Sequence, residues 1–168
     1  VSADGGAALR DPSSPQYRAM QWLRTPHNAG IFDDRGYFQR YALAVLYYST
    51  RGESWSLSRF WLTGAHECDW YLDWTGIQTC DADGNIITIA LAENNLDGPL
   101  PRELALLSRS LGEYRARVYD VNKIDHIIWH LTSFPFVIGT ETIQLSNNQL
   151  TGFIPFQYSN MTQLSKYG

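Results

Sequence analysis

The chain has 168 residues, a formal net charge of −4, 44% apolar residues and 18% charged residues. Its length fits one ordinary domain, and its apolar share supports a buried core, so disorder by composition is excluded. The acidic balance and scattered Lys and Arg argue against a nucleic-acid partner or an anionic membrane surface, and the longest apolar runs, Tyr41 to Tyr48 and Ile86 to Ala92, fall far short of the roughly 18 residues needed to span a bilayer.

Residues 1–14 are small, polar and Pro-containing. They read as a flexible lead-in to a processed or trimmed chain, with neither an initiator Met nor a signal peptide. A helix is expected next, capped by Ser14, with Pro15 at its first position, where a missing N–H costs nothing. Tyr17, Met20, Trp22 and Leu23 give it an apolar side, and Pro26 ends it. A second helix starts at Asp33 or Asp34 and runs to about Thr50. Its stripe of Tyr37, Tyr41, Ala44, Val45 and Tyr48, widened by Phe38, Ala42 and Leu46, has helical spacing and reads as core. Gly52 is its natural stop.

A Trp-rich segment follows, with Trp55, Phe60, Trp61, Trp70 and Trp74, and it contains both cysteines, Cys68 and Cys80. A sparse pair twelve positions apart suits one local disulfide, or equally two free buried thiols. Asp81-Ala82-Asp83-Gly84-Asn85 resembles the start of a calcium loop, but Ala92 stands where its last acidic ligand belongs, so a hairpin turn is the better reading.

From Ile86 the pattern becomes repetitive. Leu91-Ala92-Glu93-Asn94-Asn95-Leu96-Asp97-Gly98-Pro99-Leu100-Pro101 recurs 54 residues later as Leu145-Ser146-Asn147-Asn148-Gln149-Leu150-Thr151-Gly152-Phe153-Ile154-Pro155. A weaker copy, Tyr119-Asp120-Val121-Asn122-Lys123-Ile124, lies between them. The spacing is that of leucine-rich repeats. Each unit reads as a short strand, an Asn turn and a return segment. Ile89, Leu91, Leu96, Ile143, Leu145 and Leu150 point inward. Asn94, Asn122 and Asn148 form a ladder that hydrogen-bonds backbone groups left over by the turns. The expected fold is therefore an α/β leucine-rich-repeat solenoid over 86–168, in about three units with a degenerate middle one and no C-terminal cap, preceded by a helical, Trp-rich N-terminal cap over 15–85.

The pattern Leu-x-x-Asn-x-Leu-x-Gly-x-Leu/Ile-Pro resembles the plant-type, extracellular class of leucine-rich-repeat proteins. Cys68-Asp69-Trp70 and Gly76-Ile77-Gln78-Thr79-Cys80 resemble the disulfide-bearing stretch of their N-terminal cap, and residues 40–55 resemble its helix and exit turn. The resemblance implies a Cys68–Cys80 disulfide, an oxidising extracellular or cell-surface location, and a non-catalytic role in binding a protein, peptide or glycan on the concave strand face. Asn160-Met161-Thr162 is a glycosylation sequon, which would act only in such a compartment.

The strand period puts Thr88, Ala90, Glu93, Val118, Asp120, Gln144, Ser146 and Asn147 on that face as candidate binding residues. No cofactor is called for. His126 and His130 are spaced for a metal but lack a third ligand, and no nucleophile elbow, phosphate loop or paired acid–base carboxylates are recognisable. The alternative is a structural subunit of a homo- or hetero-assembly, packing through cap aromatics, the aromatic segment Trp129 to Gly139 and the open repeat edge.

Overall fold

The computed structural model describes residues 5–28, 34–107, 142–160 and 166–167. Helix α1 is Pro15–Leu23. Ser14 caps it in extended geometry, its Oγ accepting from the Tyr17 amide at 3.0 Å. Helix α2 is Asp34–Ser49. It shows no simple stripe, because Tyr41 through Leu46 are all buried. A helix that is apolar on every side belongs inside a core. Here α1 packs on one side, and the 3-10 turn Arg102–Leu107 and the strand Asp97–Pro99 pack on others.

The strands, in chain order, are β1 (Tyr71–Leu72), β2 (Thr75–Cys80), β3 (Ile86–Ala90), β4 (Asp97–Pro99), β5 (Thr142–Gln144), β6 (Gln149–Thr151) and β7 (Lys166–Tyr167). One five-stranded sheet has the order β1-β2-β3-β5-β7, and a second sheet pairs β4 with β6. The β1–β2 and β2–β3 pairings are antiparallel, while β3–β5, β5–β7 and β4–β6 are parallel. The sheet's core row runs from Ile77 through Ile89 to Ile143. The Asp81–Asn85 link between β2 and β3 is a tight turn in which Asp81 Oδ1 accepts from the Asp83 and Asn85 amides, each at 2.9 Å.

This architecture corrects the expected leucine-rich-repeat solenoid. The described residues form a small mixed α/β body with a mixed sheet and a separate two-stranded one. In a solenoid each unit touches its sequence neighbour. Here β3 pairs directly with β5, Thr88 with Thr142 and Ile89 with Ile143, so no strand from a middle unit stands between them. The physical reason lies in matched turns. Glu93 and Asn147, 54 positions apart, both adopt left-handed backbone, with φ of 55° and 56°. The two copies share this turn conformation, although Asn95 is left-handed (φ 62°) and its counterpart Gln149 is not, and they stack on each other. The middle copy has Tyr119, His126 and Trp129 at positions that the others give to Leu, Gly and Pro, and it lies outside the described residues.

The first part of the chain is held by rings. Trp22, Trp70, Trp61, Trp55, Tyr47 and Tyr48 form a continuous chain of rings, edge-on except for the tilted Trp61–Trp70 pair, with successive centroids 4.8 to 5.7 Å apart. Edge contacts of this kind add about 0.5–1.5 kcal/mol each beyond burial. Three indole N–H groups find carbonyls: Trp22 to Leu62, Trp55 to Thr50 and Trp70 to Ala65. Arg18 lies 4.2 Å over the Tyr48 ring at the end of the chain.

Beside the rings is a buried polar cluster that the sequence reading missed. Arg40 donates Nε to Glu67 Oε2 at 3.1 Å, one terminal nitrogen to Asn28 Oδ1 and Thr63 O, and the other to Ala65 O. Gln39 donates to Glu67 Oε1 and Gly84 O and accepts from the Ile86 amide. One cluster thus ties α2 to the 3-10 turn Glu67–Asp69 and to the start of β3. Within that turn Cys68 is joined to Cys80 by a disulfide, with a Cα separation of 6.0 Å. No described helix is long and apolar enough to cross a membrane.

Candidate binding face

Asn148 decides how the two repeated turns meet. Its Oδ1 accepts from the Asn94 amide at 3.2 Å and the Leu96 amide at 2.9 Å. Its Nδ2 donates to Leu91 O at 2.7 Å, Leu145 O at 3.0 Å and Ser146 O at 3.3 Å. One carboxamide therefore pairs backbone groups of both copies. Asn94 does the same one step earlier, toward the Trp-rich segment, accepting from the Leu57 amide at 2.7 Å and donating to Leu57 O. Backbone bonds continue the stack, from the Leu91 amide to Gln144 O, from Glu93 to Ser146 O and from Gln149 to Leu96 O. Gly98 has φ 130°, and a Cβ there would lie 2.3 Å from Ser49 O, so only glycine lets this turn seat against the end of α2.

With the inner carboxamides occupied by the backbone, the flanking polar side chains are left on the surface. Glu93, Asn95, Gln144, Ser146, Asn147 and Gln149 are exposed. They pair across the two copies: Asn147 Nδ2 donates to Glu93 Oε1 at 3.2 Å, and Gln149 Nε2 donates to Asn95 Oδ1 at 2.6 Å. Asn95 Nδ2 in turn donates to Ser54 O at 2.9 Å. The result is two polar rows that run across the copies at the surface.

The candidate residues fall unevenly. Glu93, Gln144, Ser146 and Asn147 lie on the exposed face, and Thr88 is half-buried. Ala90 is buried, a lone methyl between strands paired on both sides. Val118, Asp120 and Asn122 lie outside the described residues, as do His126, His130 and the aromatic segment 129–139. Asn160 ends the short 3-10 helix Phe156–Asn160. Asn95 and Gln149 were missed, although their positions next to the inner Asn of each copy could have flagged them.

Two other surfaces stand out. At the far edge of the sheet, β1 and β2 are joined by the two-residue turn Asp73-Trp74, with φ 47° and 72°. Both central residues are left-handed, the geometry for which hairpins prefer Asn-Gly or Asp-Gly. Trp74 stands in the glycine position with 86% of its surface exposed, and Tyr71 beside it is 55% exposed. At the other end, Leu100, Leu145, Leu150, Phe153 and Ile154 line an apolar groove of about 230 Å³. Phe153, Ile154 and Phe156 are exposed there.

Few titrations are perturbed. Burial pushes the Tyr47 and Tyr48 phenols up, with nearby Glu53 adding to the shift. Hydrogen bonds from the Ser13 hydroxyl and amide pull the exposed Asp11 carboxyl down. Among the described residues no group of three or more His, Cys, Asp or Glu is placed to hold a metal ion.

Comparison of the chain with protein-family models, with curated proteins and with solved structures finds no match.

Proposed function

We propose that this chain is a non-catalytic recognition module that binds a protein, peptide or glycan through the polar rows of Glu93, Asn95, Gln144, Ser146, Asn147 and Gln149. The observation that supports this reading is the cross-copy pairing of exposed polar side chains, the Asn147 carboxamide with the Glu93 carboxylate and Gln149 with Asn95. Such pairs contribute little to stability in water. They do hold the side chains in fixed positions, which lowers the ordering cost when a ligand's polar groups dock. The Cys68–Cys80 disulfide supports an oxidising, extracellular or cell-surface setting, in which the Asn160 sequon would also be meaningful.

The test is a panel of immobilised oligosaccharides and peptides, screened with the wild-type chain and then with Glu93→Lys and Asn147→Ala. Hits should weaken about tenfold, as a hydrogen bond to a charged group would dictate, with unfolding midpoints unchanged. Hits that bind both variants normally would remove these rows from the account.

A second reading, a subunit of an assembly, is favoured by Phe153, Ile154 and Phe156 exposed beside the apolar groove. It predicts a native mass of several chains by light scattering, falling to one chain in Phe153→Ser/Phe156→Ser.

A further inference from the structure

We infer that the β1–β2 hairpin is a second, separate docking surface, built to receive a basic, arginine- or lysine-bearing segment of a partner protein. It does not rest on the polar rows. Charge is segregated along the chain. Between Arg59 and Arg102 there is no Lys or Arg, while Glu67, Asp69, Asp73, Asp81, Asp83, Glu93 and Asp97 all fall there. Glu67 is neutralised internally by Arg40, and Asp97 pairs with Arg51. No salt bridge among the described residues engages Asp69 or Asp73, and both are exposed.

The hairpin is also aromatic. The same hairpin carries Trp74 and Tyr71, the two exposed rings of this edge of the molecule. The other described tryptophans, Trp22, Trp55, Trp61 and Trp70, are buried in the ring chain. Core packing therefore does not explain Trp74. An indole face attracts a guanidinium or ammonium, and the flanking carboxylates add the complementary charge. An anionic membrane or a nucleic acid would be repelled by the same carboxylates.

The probe is a short peptide of alternating arginine and serine, titrated against the full chain with the disulfide intact, and read by tryptophan emission and by anisotropy of a peptide label. The expected result is saturable binding that weakens as salt is raised and falls about tenfold in Trp74→Ala, the loss of a cation–π contact. The double variant Asp69→Asn/Asp73→Asn should lose affinity similarly, and it keeps the inference testable if Trp74→Ala fails to fold. Asn147→Ala should bind the probe as wild type does, which separates this surface from the polar rows. Absence of binding, equal binding of a glutamate-for-arginine peptide, or binding unchanged in the hairpin variants would overturn the inference. So would capture of phosphatidylcholine vesicles or a neutral oligosaccharide in place of the peptide.

Discussion

The Trp-rich first part and the two repeated turns are held together by different physics. The first part buries large rings and a charged, hydrogen-bonded pair and carries a disulfide, so its cohesion is apolar, ionic and covalent. The repeated turns bury leucines and isoleucines too, but their register is set by Asn94 and Asn148 bonding backbone groups of the neighbouring segment. Burial is non-directional and tolerates many arrangements. Carboxamide-to-backbone bonding specifies one. The lesson is that the first part supplies stability and the repeated turns supply precise placement of a polar face.

That contrast can be broken most forcefully at the buried pair. Glu67→Ala should destabilise the chain by about 3–5 kcal/mol in denaturant melts, because it leaves Arg40 charged and uncompensated. Arg40→Met/Glu67→Leu together should cost far less, since removing both charges also removes the desolvation penalty. Cys68→Ala/Cys80→Ala should cost about 3 kcal/mol, the chain-entropy value for a loop of this size, without changing the register of the repeated turns.

Asn148→Ala sharpens the comparison from the other side. It should cost about 1–3 kcal/mol, since the Asn94 and Leu96 amides and Leu91 O lose a common partner. Hydrogen exchange should then accelerate around residues 91–96 before it does in α2. If exchange rises uniformly, the two regions form one cooperative unit and the division of labour fails.

The alkaline limb separates the regions further. Burial raises the folded-state pKa of Tyr47 and Tyr48 above the ordinary tyrosine value of about 10. The unfolded chain thus loses these protons first. The stability they contribute is complete below about pH 10 and is lost as pH rises through the raised values. Melts at increasing pH should show this decline, and Tyr48→Phe should flatten it. The smallest effect is expected at Asn147→Ala, within about 0.5 kcal/mol, as for an exposed polar side chain.

Much of this was legible in the sequence. Ser14 and Pro15 announced the start of α1, and the 81–85 turn and the two strong copies were visible from residue types alone. Where the sequence misled, tertiary context was responsible. The apolar spacing in α2 suggested one buried side, yet neighbours close over every face of Tyr41–Leu46. Arg40 and Glu67 are 27 positions apart, and no local pattern marks them as partners. Evenly spaced Asn residues suggested three units stacked in series. In the structure the copies around Asn94 and Asn148 meet directly, joined by strand pairing and by the Asn148 carboxamide. On the candidate face, Ala90 obeyed the strand alternation and still ended up buried, because burial depends on both flanking strands.

The most direct test of the account is a cross-link between the two copies. Thr88 and Thr142 are paired neighbours on β3 and β5. Thr88→Cys/Thr142→Cys should form a disulfide under mild oxidation, since adjacent strands lie about 4.8 Å apart, within disulfide reach. Mass spectrometry of the non-reduced digest should recover the 88–142 linked peptide with Cys68–Cys80 intact. If a middle unit stood between them, the strands would be separated by about 10 Å and no such link could form. Its absence would contradict the direct stacking on which the placement of the polar face depends.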